Sequence, residues 1–204
     1  EYQGCPSNYR CEQTLGDYLK KNGTLGVEWL DTRALTLHIR KTGAMRAVIS
    51  TEDLNPESLI AKAKSIPKMD GQDLAASVTS NKPYRLAENI KHYLDSETDS
   101  LDQTIWQHRN KKFSVCAYDY GIKYNIIRCL ENAGCEVIIL PAETSVETLK
   151  AMDPDGIFLS NGPGDPEPVT YAVQSIKDLI GYRPIYGICL GHQAIGEVYG
   201  ASIY

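Results

Sequence analysis

The sequence predicts an α/β fold in two parts: a mixed α/β block at the start, then a domain on a mostly parallel sheet. Three observations carry this. From Phe113 onward, apolar strand-like runs alternate with amphipathic helix-like runs, and that alternation implies parallel strands with helices on both faces. Glycine-rich loops follow two of the strand-like runs, at "SNGPGDP" and "GICLGHQ". With 204 residues, 42% of them apolar, the chain is long enough for one large or two small domains with a packed core.

The first block reads as residues 1–80. "TLGDYLKKNG" sets Leu15, Tyr18 and Leu19 on one face of a helix that Gly23 ends. "TLGVEWL" reads as a strand. In "DTRALTLHIRKTG", Asp31 or Thr32 is placed to cap a helix that Gly43 terminates. "AMRAVIS" reads as a second strand. "NPESLIAKAKSIP" is a third helix, with Pro56 in its first turn and Pro67 after its end. Residues 81–112 are polar and charge-rich, and read as a linker or an exposed hairpin between two domains.

The second domain reads as residues 113–204. Its first strand is "FSVCAYDY", followed by the helix "IKYNIIRCLENAG" that Gly134 closes. "CEVIILP" and "SVETLKAM" are the next strand and helix. "GIFLSNGPGDP" is a third strand running into a glycine-rich loop, and "TYAVQSIKDLIG" the helix after it. "PIYGICLG" is a fourth strand and "HQAIGEVYG" a fourth helix. Sheets of this kind place ligands at the carboxyl ends of their strands.

Composition narrows the function classes. A net charge of −5 argues against a nucleic-acid-binding surface as the main function. No apolar run reaches the roughly eighteen residues of a membrane span, and no signal peptide is visible. Six cysteines, at 5, 11, 116, 129, 135 and 189, contain no C-x-x-C pair. No metal site is expected, and the pattern fits reduced thiols in the cytoplasm. Every cysteine except Cys189 reads as simple packing. The chain opens at Glu1 in a polar stretch without Met and closes at Tyr204 in what reads as a strand. It is therefore expected to be an internal piece of a longer polypeptide.

The two loops carry the chemistry. Gly162 and Gly164 flank Pro163 and allow the backbone to approach a ligand with its N–H groups turned inward. Gly187-x-Cys189-x-Gly191 is the pattern of a nucleophile elbow with cysteine in place of serine. A helix starting beside Cys189 aims free N–H groups at the sulfur, a setting that favours thiolate. The N–H of Leu190 is placed to stabilise an oxyanion, with a second donor from the 160–166 loop. Acyl transfer through a thioester is the natural reaction class. Tight packing is the alternative reading of a lone G-x-C-x-G. The loop at 160–166 lacks the G-K-[ST] ending of a P-loop and lacks G-x-G-x-x-G, so phosphate binding is the weaker reading. A cysteine nucleophile needs a base. His192 lies on the helix one turn past Cys189 and is expected to project away from the sulfur, and His38, His92 and His108 read as surface residues.

The motifs resemble a known family. "GICLGHQ" is similar to the nucleophile motif of class I glutamine amidotransferases, and "FLSNGPGDP" to their oxyanion loop. "AYDYGIKYNIIRCL" and "DTRALTLHIRKTGAM" narrow the resemblance to the small, glutamine-hydrolysing chains of carbamoyl phosphate synthetases. The resemblance covers nearly the whole chain. It implies that Cys189 attacks the side-chain amide of glutamine, with Gly162, Gly164, Leu190 and Gln193 contacting the substrate. Ammonia then passes to a large, ATP-dependent partner subunit, which makes carbamoyl phosphate for arginine and pyrimidine synthesis. ATP and Mg are expected in that partner, and no cofactor in this chain. The resemblance also implies a triad histidine and glutamate downstream of Tyr204 and a further glutamine contact upstream of Glu1. Both domains are thus expected to be partial. Relatives that use free ammonia carry serine at the nucleophile position, and Cys189 favours the glutamine-dependent form.

Two other classes compete. A non-catalytic docking or regulatory module would use residues 1–80 to bind the large subunit and carry a vestigial cysteine. Another class I amidotransferase, or another cysteine hydrolase on a similar sheet, would keep the elbow and change the substrate.

Overall fold

The computed structural model describes residues 2–9, 11–95, 100–107 and 111–202. His108, expected on the surface, and Tyr204, expected to close a strand, lie outside the described residues. The chain divides into two compact units, Glu1–Lys68 and Met69–Tyr204.

The first unit carries three helices: α1 (Leu15–Lys21), α2 (Thr32–Thr42) and α3 (Pro56–Ser65). Each starts on a side-chain cap. Thr14 accepts from Asp17 N–H, Asp31 from Ala34 N–H and Asn55 from Ser58 N–H, satisfying donors that a helix start leaves open. Gly43, at φ 81°, ends α2 as expected. The strands expected at "TLGVEWL" and "AMRAVIS" do not form among the described residues. A strand exists only beside a partner backbone, and neither segment has one. Leu25, Val27 and Trp29 of the first are exposed.

The second unit is built on one six-stranded sheet in the order β2-β1-β4-β3-β5-β6. β3 (Phe113–Asp119), β4 (Cys135–Pro141), β5 (Gly156–Leu159) and β6 (Ile185–Gly187) run parallel. An antiparallel hairpin, β1 (Tyr84–Ala87) and β2 (Ile90–Tyr93), joins the sheet through Tyr84 opposite Ile139. Within the stretch 81–112 the hairpin is thus part of the sheet, and its first strand is buried at Tyr84 and Leu86 rather than exposed. Tyr84 and Leu86 point into the core, and Arg85 between them donates to the Glu136 carboxylate at 2.6 Å.

Alternation along the strands gives the sheet two cores. On one face, α5 (Tyr124–Asn132) sets Ile127 against Ala117, Val137, Ile139 and Phe158. On the other, α6 (Val146–Met152), α7 (Thr170–Leu179) and α8 (Leu190–Val198) cover Cys116, Tyr118, Ile138, Leu140 and Leu159. A short helix, α4 (Ala75–Val78), adds Ala75 to that second core. The packing expected of the cysteines holds for Cys116; Cys5, Cys11 and Cys129 are exposed. The chain leaves β3 for β4 on one side and returns past it to β5 on the other. The strand order reverses there, so the crevice outside the carboxyl ends of β3 and β5 is the expected ligand position.

Candidate active site

Both glycine-rich loops sit at this end of the sheet. Leu159, the last residue of β5, is register-paired with Gly187, the last of β6. The two chains turn out of the sheet side by side. The turn after β6 is tight: Ile188 N–H donates to Leu159 O at 3.1 Å, and Gly191 N–H to Ser160 O at 3.1 Å. The flanking glycines are sterically required. A Cβ on Gly187 would stand 2.5 Å from the Gly191 carbonyl carbon, and one on Gly191 would stand 2.3 Å from Leu159 O. No side chain fits at either distance.

Cys189 is the cap residue between β6 and α8, with φ 53° and ψ −115°. That conformation is costly for a residue with a Cβ, and here it holds the side chain out of the turn and exposed. The helix starts immediately afterwards. Leu190, as its first residue, has no intrahelical acceptor for its N–H. The Leu190 side chain is buried and lies beside Gly162.

The loop after β5 is fixed from below. The fully buried Ser160 accepts from Tyr120 N–H at 2.8 Å and donates to Asn161 O at 2.8 Å. Asn161 spans to the turn after β3, donating to Gly121 O at 2.9 Å and accepting from Lys123 N–H at 3.1 Å. Gly162 passes directly over that strand end: a Cβ there would lie 2.6 Å from Tyr120 O. Gly164 adopts φ 82° with its Cα against Leu74. The Asp165 carboxylate accepts from Gly71 N–H and Glu167 N–H, each at 3.0 Å. Those two donors hold its carboxyl below the usual carboxylate range.

A third strand end supports the other two. Asp119, at the end of β3, is 2% exposed. One oxygen accepts from Gly121 N–H at 3.0 Å and Ile122 N–H at 2.9 Å, the other from Ser80 N–H at 3.1 Å. Tyr120 beside it is fully buried and stacked on Tyr118 at 6.2 Å, and burial pushes its hydroxyl well above the ordinary tyrosine range.

The sequence-predicted residues Cys189, Leu190, Gly162 and Gly164 thus meet on adjoining loops. Gln193 is half-buried on the first turn of α8. Its backbone N–H donates to Cys189 O at 2.9 Å. His192 is exposed on α8. His38 lies on α2, and His92 on β2, the strand at the opposite edge of the sheet from β6. Among the described residues the Cys189 thiol has no hydrogen-bond partner. Asp119, Ser160 and Asn161 went unread in the sequence. The spacing of Asp119 to Gly121 is an available signal, because a carboxylate capping the N–H two residues on is a common turn device. No helix among the described residues is long and apolar enough to cross a membrane.

Sequence comparison supports the resemblance. Residues 116–204 match the family model described as glutamine amidotransferase class-I. Residues 1–49 match that for the carbamoyl-phosphate synthase small chain, CPSase domain. A carbamoyl phosphate synthase small chain from Syntrophotalea carbinolica is 46% identical over 98% of this chain and 51% of its own length. One from Thermosynechococcus vestitus is 44% identical over 98% and 51%. A chloroplastic small chain from Arabidopsis thaliana is 39% identical over 97% and 44%. The chain spans about half the length of the curated relatives it matches. The likeness to class I glutamine amidotransferases and to these small chains, read from the motifs, is borne out.

Proposed function

We propose that this chain is part of the glutamine-hydrolysing small subunit of a carbamoyl phosphate synthetase, with Cys189 as its nucleophile. The observation that supports this most is the pairing of Leu159 with Gly187, which starts the elbow and the 160–166 loop from adjacent strand ends. The Cys189 sulfur attacks the side-chain amide carbon of glutamine. The carbonyl oxygen takes up negative charge, and the Leu190 N–H with an N–H of the Gly162–Gly164 segment holds it. The C–N bond breaks and ammonia leaves, its nitrogen having gained the proton that the thiol lost. Water then cleaves the thioester, releasing glutamate and restoring the thiol. Gln193 holds the substrate through its side-chain amide. The base that moves these protons is, by resemblance, a histidine oriented by a glutamate further along the polypeptide.

Ammonia goes to a large ATP-dependent subunit, which holds ATP and Mg and forms carbamoyl phosphate for arginine and pyrimidine synthesis in the cytoplasm. The test uses the full-length subunit assembled with that partner. Cys189→Ser should abolish glutamine-dependent synthesis and leave ammonia-dependent synthesis intact. Retained glutamine use would defeat the nucleophile assignment. A non-catalytic docking module is the second reading, favoured by the unpartnered thiol of Cys189. It requires the unaltered assembly to use ammonia only.

A further inference from the structure

Within residues 71–80, Leu74 and Gly71 touch the 160–166 loop at Gly164 and Asp165. The segment is moored at one end. Ala75 is buried in the core, Thr79 accepts from Ala142 N–H at 2.9 Å, and Ser80 N–H donates to Asp119 at 3.1 Å. The free reach of the segment then meets two consecutive loop residues, Gly164 and Asp165. A Cβ on Gly121 would be 3.1 Å from both Pro163 Cδ and Val78 Cγ2, so these side chains close on the same glycine. The Leu74 side chain lies flat against Gly164, with its Cβ, Cγ and Cδ1 all 3.1–3.2 Å from where a Cβ would stand. Gly71 N–H donates to the Asp165 carboxylate at 3.0 Å. Tyr171, at the start of α7, adds a bond from its hydroxyl to Asp73 at 3.4 Å.

Gly162 and Gly164 are the loop's candidate donors; Gly162 is packed against Tyr120 and Leu190, and Gly164 against Leu74. Gly164 sits at φ 82°, and glycine gains the most freedom whenever its surroundings loosen. Oxyanion donors work only when held in place before the charge develops, because a donor that must be ordered during the reaction loses most of its advantage. Asn161 fixes the loop's entry at Gly121 and Lys123. Its far half has Leu74 and Gly71.

We propose that Leu74 and Asp165 are positioning residues, through which segment 71–80 clamps the 160–166 loop and preorganises its N–H groups for the glutamine oxyanion. This rests on the amidotransferase reading above.

The experiment uses the full-length subunit with its large partner and compares Leu74→Ala, Leu74→Met and Asp165→Ala, with Cys189→Ser as reference. Two readouts are taken. Amide hydrogen exchange across 160–166 should rise roughly tenfold or more in Leu74→Ala and Asp165→Ala, and not in Leu74→Met, which restores the volume. In the two alanine variants kcat/KM for glutamine should fall roughly tenfold to a hundredfold, as small misplacements of reacting groups do, with ammonia-dependent synthesis unchanged. Unaltered exchange at 160–166 overturns the clamp. So does an equal loss of glutamine-dependent and ammonia-dependent rates, which would mark a general folding defect. If Cys189→Ser keeps glutamine use, the amidotransferase reading fails, and the exchange data still decide whether the clamp exists.

Discussion

Gly191 lies with its Cα against the carbonyl of Leu159. Its N–H donates to Ser160 O at 3.1 Å, while a Cβ added to it would stand 2.3 Å from Leu159 O. Helix α8 therefore begins in backbone contact with the end of β5, and this contact joins the elbow to the loop. The obstacle is a strand carbonyl, which cannot rotate away, so Gly191→Ala must part the helix from the sheet at a cost of about 3 kcal/mol. Gly196 in the same helix has Ala201 Cβ at 3.5 Å, an ordinary contact. Gly196→Ala should be neutral or stabilise by up to about 1 kcal/mol through helix propensity. Urea denaturation of the two variants separates them, and equal effects would contradict the close approach.

Asp119 leads to a second expectation. It gathers three backbone N–H groups from the turn after β3 and from Ser80. An asparagine can keep its oxygen toward Gly121 and Ile122, but then presents an NH2 to Ser80 N–H. That leaves one buried donor without an acceptor, a loss of about 1–3 kcal/mol. Asp119→Asn should lower stability by that amount and speed hydrogen exchange at Ser80 more than at Ile122. Uniform exchange changes across both positions would argue against the assignment of the two oxygens.

Much of the second unit could be read from sequence because each element states its own ends. Ser145 caps α6 by accepting from Thr148 N–H, and β4 carries the apolar run Val137–Leu140, buried on both faces. The hairpin β1–β2 is harder to read. Its turn at Glu88 and Asn89 has φ 50° and 66°, the geometry for which Asn-Gly is the usual signal, and Glu-Asn does not give it. Its polar residues Arg85, Lys91 and His92 make the stretch look like a linker. The expected strands of the first unit failed for the opposite reason, since "TLGVEWL" has apolar composition without a neighbouring backbone to pair with. At the site, the elbow and the loop were legible because glycine spacing records steric necessity. The segment against the loop was not, because Leu74 becomes functional only by what it touches, and its contact is to Gly164, 90 residues away in sequence.

Asp53, just before α3, provides a pH test in the first unit. Lys62 Nζ and Ser58 Oγ donate to one of its oxygens, at 2.6 and 2.7 Å, and Asn55 N–H to the other. These bonds, led by that from Lys62, bring its pKa down to about 2. The folded value lies below the unfolded one, so the stabilisation is fully present above roughly pH 4. It is lost as pH falls from there through the folded pKa. A carbon-13 NMR titration of the Asp53 carboxyl should give a midpoint near 2, and in Asp53→Asn the α3 signals should lose their response in that interval. A midpoint near 4, the ordinary aspartate value, would show that the bonds do not persist in solution.

Cys189 itself should be a site where stability and chemistry oppose each other. Its φ of 53° and ψ of −115° lie where essentially only glycine is comfortable, and such a residue stores roughly 1–3 kcal/mol. The strain is imposed by the backbone around it: Gly187 and Gly191 allow the turn to close, and Gly191 N–H ties it to Ser160. Cys189→Gly should release the strain and, after the extra chain entropy of glycine in the unfolded state, stabilise the chain by about 1 kcal/mol. Cys189→Ala removes the sulfur but keeps the Cβ, so it should retain the strain and gain nothing comparable. Urea denaturation of both variants measures the difference. If alanine stabilises as much as glycine, the thiol and not the backbone carries the cost. If glycine alone does, the elbow keeps a strained residue in order to hold its sulfur clear of the turn.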